Sequence, residues 1–486
     1  MTTPRAGAVW WQSPVTVLVL VVPAAVVPAW FLGDEEFLLL WRTPRSLTPD
    51  ILLMLLAGGL TVALAAAAVL AAAPRRPPGP RWPDLDDRQA ALLSRWNSAL
   101  LGLTVLGYVA YVRSALGAGV TLADVTAVFG SGGLYTGTLK DAVPPVAGVT
   151  TLTQFGIATG VLSAVLLLRT GSRRYVVAMA AVVLLAVPRA LLLTERLAIL
   201  EVVVPIVVVL TAGVAGSRRG GRLVAVVPLA AVPVVAALFA SFEYSRSWVW
   251  FREHTDWTFL EFSVLRLAGY YVTALNNGAL QILHNDHPAR WPYETVSGLW
   301  TAPGIEQSQM YPRLSGRSQE ERYLEILQTH GWEEFNNSSG LAAPFVDYGV
   351  VGGLVFMAVV GVVLGLLHRS FRDGRPSGVL LYPVLFLGII ELPRLLAWPA
   401  GRLLPSLAVL VVLALVARRG RAQRARLCAV PAAGGRPAPP PPPVPVPGPR
   451  AAPVPRVPVP PAPHRPRPPV VAADDVEHQG GSAPPP

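Results

Sequence analysis

Apolar residues run along this chain in long blocks rather than in the alternations or narrow stripes of a soluble fold. The blocks fall at 14–32, 51–73, 97–115, 147–169, 174–193, 196–215, 222–241, 342–367, 378–396 and 399–417. Several reach the ~20 residues that an α-helix needs to cross a bilayer. Lipid offers no partner to an open backbone, so blocks of this length predict helices whose hydrogen bonds close within the segment. The expected fold is an all-α integral membrane protein with about ten transmembrane helices. The first block, Val15 to Leu32, has only Arg5 as a basic residue before it and ends in "AWFLGDEEF" without a small-residue cleavage site, which predicts a retained span.

The polar junctions between the blocks set an orientation. "PRRPPGPR", "RTGSRR", "GSRRGGR", "HRSFRDGR" and "ARRGRAQRAR" fall at every second junction. Cytoplasmic loops are enriched in Lys and Arg. The chain is therefore expected to be a multi-pass plasma-membrane protein with both termini cytoplasmic. The outward junctions are then 33–50, 116–146, 194–195, 242–341 and a short turn at 397–398. One of them, 242–341, is a large extracytoplasmic loop expected to contain amphipathic helices.

Composition sharpens this picture. The chain has 486 residues, of which 52% are hydrophobic and only 14% charged, far fewer charges than a soluble protein of this length carries. The net charge of +11 is weighted toward the end. From Arg418 onward ten Arg stand against Asp474, Asp475 and Glu477, a contribution of +7. That distribution argues for orientation and membrane-surface contact, not for nucleic acid. Lys140 is the only lysine, and the excess of Arg, Ala, Val and Pro points to a GC-rich bacterial genome. The single cysteine, Cys428, excludes an internal disulfide or a thiolate metal cluster. Two regions follow: a membrane domain over 1–417 and a basic, Pro-rich tail over 418–486. Segments such as "PAPPPPPVPVPGP" predict a disordered, polyproline-rich tail, solvated or docked on a proline-binding partner.

The candidate chemistry lies in the large loop. "SFEYSRSWVWFREHTDW" (241–257) puts Arg246, Arg252, Glu253, His254 and several aromatic residues directly after an apolar block. In "LRLAGYYVTALNNG", Arg266, Tyr270, Thr273 and Asn277 share one helical face, with Tyr271 beside them. Either this is an interfacial helix whose Arg reaches lipid phosphates, or its polar stripe lines a substrate cleft. His284, Asp286 and His287 match no strong metal spacing, and no metal site is expected. Asp347 lies about two turns into the eighth block, where an acid is costly without a cavity or a partner. Arg189 and Arg196 frame the outward junction "PRALLLTERLAIL". Positive charge is sparse on the outer side, so Arg196, Arg246, Arg252 and Arg266 form a set that orientation does not explain. The flat guanidinium fork suits phosphate oxygens, so an anionic group at the outer membrane face is the simplest inference.

The chain resembles the O-antigen polymerase family, the oligosaccharide repeat-unit polymerases of bacterial surface polysaccharides. The resemblance covers most of 14–417. It rests on "LLLWRTPRSLT", "LLLTERLAIL", "LRLAGYYVTALNNG" and "FNNSSGLAAPFVDYGVVGGLVFMAVVGVVLG". It implies transfer of a glycan from polyprenyl pyrophosphate to a sugar hydroxyl of another lipid-linked repeat unit, with membrane lipids and polysaccharide-assembly proteins as surroundings. Arg196, Arg252 and Arg266 would stabilise the departing diphosphate, with Arg246 and Arg189 behind them. No metal or cofactor is then required. Tyr270, Tyr271, Asn277, Asn336 and Tyr348 would position sugar or phosphate. Glu253, His254, Glu261 and Asp347 are all open as the base. Competing readings are a multi-span polyprenyl-phosphate-sugar glycosyltransferase, with "GDEEF" (Asp34, Glu35, Glu36) as its acids, an O-antigen-type ligase, and a lipid-linked glycan flippase.

Overall fold

The structure is a computed structural model that describes residues 9–72, 82–121, 123, 150–192, 197–216, 218–285, 291–302, 304–316 and 318–429. The Pro-rich tail from 430 and the junction residues 122, 124–149 and 193–196 lie outside them. Every regular element among the described residues is helical.

The elements are α1 (Pro14–Phe31), α2 (Asp34–Trp41), α3 (Pro49–Ala71), α4 (Asp87–Gly117), α5 (Phe155–Thr170), α6 (Arg173–Leu192), α7 (Leu197–Val214), α8 (Arg218–Ala225), α9 (Val227–Glu243), α10 (Val249–His254), α11 (Phe259–His284), α12 (Met310–Ser315), α13 (Gln319–His330), α14 (Ala343–Arg372), α15 (Pro376–Glu391) and α16 (Leu404–Ala429). A helical turn at Ser297–Trp300 precedes α12. Local signals set many of the boundaries. Thr48, Asp86, Thr258 and Ser318 each accept the amide of a residue in the following first turn, which satisfies one of the open donors of a helix start. Gly171 ends α5 at φ 69°, a left-handed position that costs glycine nothing.

Each of the apolar blocks read from the sequence overlaps a helix. Seven helical segments among the described residues are long and apolar enough to cross a membrane: 14–31, 49–71, 87–117, 151–170, 197–214, 219–241 and 343–372. The other three blocks fall on α6, which carries Arg at both ends, on the shorter apolar α15, and on α16, whose second half is basic. The chain is a multi-pass, all-helical membrane protein.

α5 forms the hub. Its residues 156–166 are all buried, and it packs on α4, α6, α7, α15 and α16. A second tight seam joins α3 to α14. A Cβ at Gly365 would lie 3.0 Å from the Ala66 carbonyl oxygen, and one at Gly361 would meet the Val62 carbonyl. Without a hydrophobic drive between helices in lipid, such close backbone approach supplies the attraction. Outward positions stay apolar. Leu64, Leu229, Val232, Val351 and Val359 are all more than half exposed, as lipid contact requires.

The two ends of the bundle differ. At one end Trp82 donates to the Phe371 carbonyl, Asp84 N–H to Gly374, Gln89 to Ala417, and Arg169 pairs with Asp87 at 2.9 Å. These are the basic junctions. At the other end the segments 42–48, 243–249, 294–300, 335–342 and 391–401 gather around α11.

Candidate functional site

α11 organises that second end. Its capping box is closed by Thr258 and Glu261. Each donor and acceptor of Glu261's cap is local, and the Thr258 amide holds the Glu261 carboxyl below its usual range. The sequence predicts an amphipathic helix at the membrane interface here. The helix is longer, and its residues 272–281 are buried on every face, so this half is a core element and not a surface one.

Two adjacent asparagines staple loops to different faces of α11. Asn276 accepts the Ser46 amide at 2.7 Å and donates to the Pro44 carbonyl at 3.0 Å. Asn277 donates to the carbonyls of Phe335 and Asn337. Glycine neighbours allow the approach. A Cβ at Gly278 would lie 2.6 Å from Ala342, and one at Gly269 would collide with the Trp41 indole. Asn277, expected to position substrate, is thus spent on the turn that opens α14.

Arg266 is buried, 4% exposed. Its Nε donates to Glu243 at 3.2 Å and its Nη2 to Glu334 at 2.6 Å, with Ser247 at 3.4 Å. The Phe335 and Phe251 rings lie 5.1 and 5.9 Å from its guanidinium carbon. Burial opposes its charge, but the Glu243 and Glu334 carboxylates outweigh burial and raise its affinity for the proton. Glu243 ends α9 just before a π-helical turn, Tyr244–Trp248. Arg246 is on this turn, with its side chain outside the described residues. Tyr270 reaches Glu243 at 3.4 Å and packs edge-on to Phe239. Tyr271 is pushed up to about 12 by burial and then by Glu391, which is itself paired to Arg394 at 2.9 Å.

The mouth beside this network is more exposed. Trp248, Phe251, Trp257, Phe259 and Phe262 pack on one another, with centroids 5.0–5.7 Å apart for Trp248–Phe259, Trp248–Phe262, Phe251–Trp257 and Phe251–Phe262. Outside them stands a column. Arg42, left-handed at φ 54°, lies 4.7 Å over Trp250 and 5.9 Å from Trp332, and Trp250 stacks on His254 at 4.2 Å. Arg42, Arg252 and Glu253 are exposed, and Arg42 and Arg252 have no carboxylate partner among the described residues. Nδ1 of His254 lies 2.8 Å from the Trp250 carbonyl. A carbonyl only accepts, so Nδ1 carries a hydrogen, and in the neutral ring Nε2 is then the nitrogen with the lone pair.

The remaining candidates lie elsewhere. Asp347 is buried and accepts from the amides of Glu294 and Thr295 and from the Thr295 hydroxyl, at 2.7–3.1 Å. The Tyr348 hydroxyl completes that cluster at 2.8 Å. This carboxylate anchors the 293–295 segment. Arg189 donates to Thr153 at 3.4 Å and faces Tyr108 and Glu201, inside the bundle and away from α11. Arg196, Asp286 and His287 lie outside the described residues. His284 stacks on His330 with centroids 3.8 Å apart. Of the acids in "GDEEF", Glu36 caps the Gly33 amide at 2.8 Å. Asn336 lines an open cleft of about 490 Å³ together with Gln281, Glu294 and Tyr311. Sequence reasoning did not single out Glu243, Glu334, Arg42 or Asn276. Arg42 has a local signal, an unexplained Arg between two outward segments, but the pairing of the others has none.

No protein-family model matches the chain, and neither does any curated protein or solved structure.

Proposed function

We propose that this chain is a membrane glycan polymerase of the O-antigen polymerase type. It transfers a saccharide from polyprenyl pyrophosphate to a sugar hydroxyl of a second lipid-linked repeat unit. In this reading the chain lies in the plasma membrane with ten spans and cytoplasmic termini, and the α11 end faces outward. The observation that carries the reading is the mouth of that end. Arg42 lies over the Trp250–His254 stack and Arg252 is exposed on the same short helix, both without carboxylate partners among the described residues, while buried Arg266 is already neutralised.

The division of labour follows from pairing. A guanidinium held by two carboxylates has little positive field left for a phosphate, so Arg266 shapes the site and Arg42 and Arg252 meet the diphosphate. Arg196 and Arg246 remain candidates beside them. The acceptor hydroxyl oxygen attacks the anomeric carbon of the donor sugar as the bond to the diphosphate oxygen breaks. The hydroxyl proton passes to Nε2 of His254, with Glu253 as its neighbour on the same turn. Negative charge grows on the leaving diphosphate, where fixed cations stabilise the transition state most. The exposed indole of Trp332 offers an apolar face to sugar C–H surfaces, while the Trp250 ring is covered by Arg42 and His254.

The test is direct. Purified chain in lipid nanodiscs is incubated with lipid-linked repeat unit, and polymer is read on a gel. Arg252→Ala is expected to lower turnover by about 10²–10³-fold, the range found when one transition-state donor is removed. Polymer at wild-type rate from both Arg252→Ala and Arg42→Ala would overturn the site. Absence of any polymer from the wild-type chain would overturn the function.

A further inference from the structure

The open cleft beyond the far end of α11 differs in chemistry from the arginine mouth. It encloses about 490 Å³ and is bounded by the 294–311 segment, the start of α13 and the 336–338 turn. The charged side chains that line it are Glu294, Glu306 and Glu320, and among the described residues no Arg or Lys does so. A diphosphate would be repelled there. The uncharged lining is rich in amides and hydroxyls, and two of its polar atoms are conspicuous. Gln281 is 2% and Tyr311 4% exposed, yet Gln281 Oε1 and the Tyr311 hydroxyl have no hydrogen-bond partner in the protein. Burying such groups without partners is costly. One is an acceptor and the other both donates and accepts, the combination that a sugar hydroxyl satisfies.

Position adds a second argument. Arg266 and Gln281 lie fifteen residues apart on one unbroken helix, about 22 Å at the ordinary helical rise. The Asn336 edge of the cleft adjoins Glu334 and Phe335 of the Arg266 network, and its Gln281 end lies farther along the helix. That end is well placed for sugars several units away along the same chain.

We propose that this cleft is a distal subsite that binds an uncharged stretch of saccharide through Gln281 and Tyr311, and so sets how long the product chain grows before release. The inference rests on the polymerase reading for its role, but the binding itself does not depend on turnover.

Two near-isosteric variants test it, Gln281→Met and Tyr311→Phe. Each removes a polar atom that has no protein partner, so melting temperature should hold or rise. The probe is the oligosaccharide released from the lipid-linked repeat unit by mild acid, which lacks both lipid and diphosphate. Full-length chain in nanodiscs should bind it, each variant about tenfold more weakly, the loss of roughly one hydrogen bond, and Arg252→Ala as wild type. Inorganic pyrophosphate should not displace it. With lipid-linked substrate, both variants should still form linkages but yield a shorter modal chain. Wild-type binding by both variants, displacement by pyrophosphate, or no binding by the wild-type chain would overturn the proposal. The two readings fail separately. Unaltered binding and chain length in the cleft variants, with polymer lost in Arg252→Ala, sinks the cleft alone. Weakened binding in the cleft variants, with a wild-type chain that makes no polymer, sinks the polymerase alone.

Discussion

Arg266 shows how far a single residue can be read. Its place on a polar helical face marks it as important, and the structure puts it 4% exposed at the centre of the α11 end. Its partners are 23 and 68 residues away, and nothing local announces them. Glu243 is fully buried, so removing its main counter-charge leaves a carboxylate stranded. Arg266→Leu is therefore expected to cost about 3–5 kcal/mol, seen as a large fall in melting temperature and in protein abundance. Adding Glu243→Gln should recover part of that loss, since the pair matters more as a pair than either member does. A double variant as unstable as the single one would show that the ion pair is not what Arg266 supplies. Asn276 and Asn277 carry the same lesson. Adjacent in sequence, they bind loops 230 and 58–60 residues distant.

At the scale of elements, periodicity and apolar length predict the helices well, because each depends on its own residues. Breaks inside them are harder. Gly349 interrupts α14 at φ 67°, ψ −173°, a conformation that side chains disfavour strongly. The interruption lets Asp347 turn back to the 294–295 amides while Val350 onward continues as a membrane helix. Gly349→Ala should cost about 1–3 kcal/mol and speed hydrogen exchange at Glu294 and Thr295; unchanged exchange there would separate the break from the anchor. The ends of α11 and α13 make a second contact, the stacked His284 and His330 rings. Burial, then the neighbouring His330, lowers the affinity of His284 for a proton. The unfolded chain thus binds the proton more readily than the folded one. Stability from this contact is present above the ordinary histidine value near 6.5 and is lost as pH falls below it. Acidification from about pH 7.5 to 5.5 should loosen these two helix ends, and His330→Phe should blunt that response. An identical pH profile in both proteins, measured by hydrogen exchange at 327–331, would rule the pair out as its source.

At the scale of the whole molecule, the two ends of the bundle carry different chemistry, and the proposed reaction needs the α11 end outside. Cys428 is the only native thiol, so Cys428→Ser gives a clean background. A cysteine replacing Glu306, exposed at the α11 end, should react with an impermeant maleimide on intact cells. One replacing Arg173, exposed at the basic end, should react only after permeabilisation. The reverse pattern would leave the proposed chemistry on the side of the membrane where the lipid-linked chain is not extended.

The sequence by itself determined that this chain is a helical, multi-pass membrane protein, where its helices lie and which junctions are basic. Those properties follow from about 20 consecutive apolar residues meeting the demands of lipid, a condition satisfied segment by segment. Only the tertiary structure decided which charges are already matched. It buried Arg266 between two glutamates, committed Asp347 and Asn277 to anchoring loops, left Arg42 and Arg252 at the mouth, and enclosed Gln281 and Tyr311 in a cleft. A side chain's field and hydrogen-bonding capacity depend on what folds against it, and those neighbours come from distant parts of the chain.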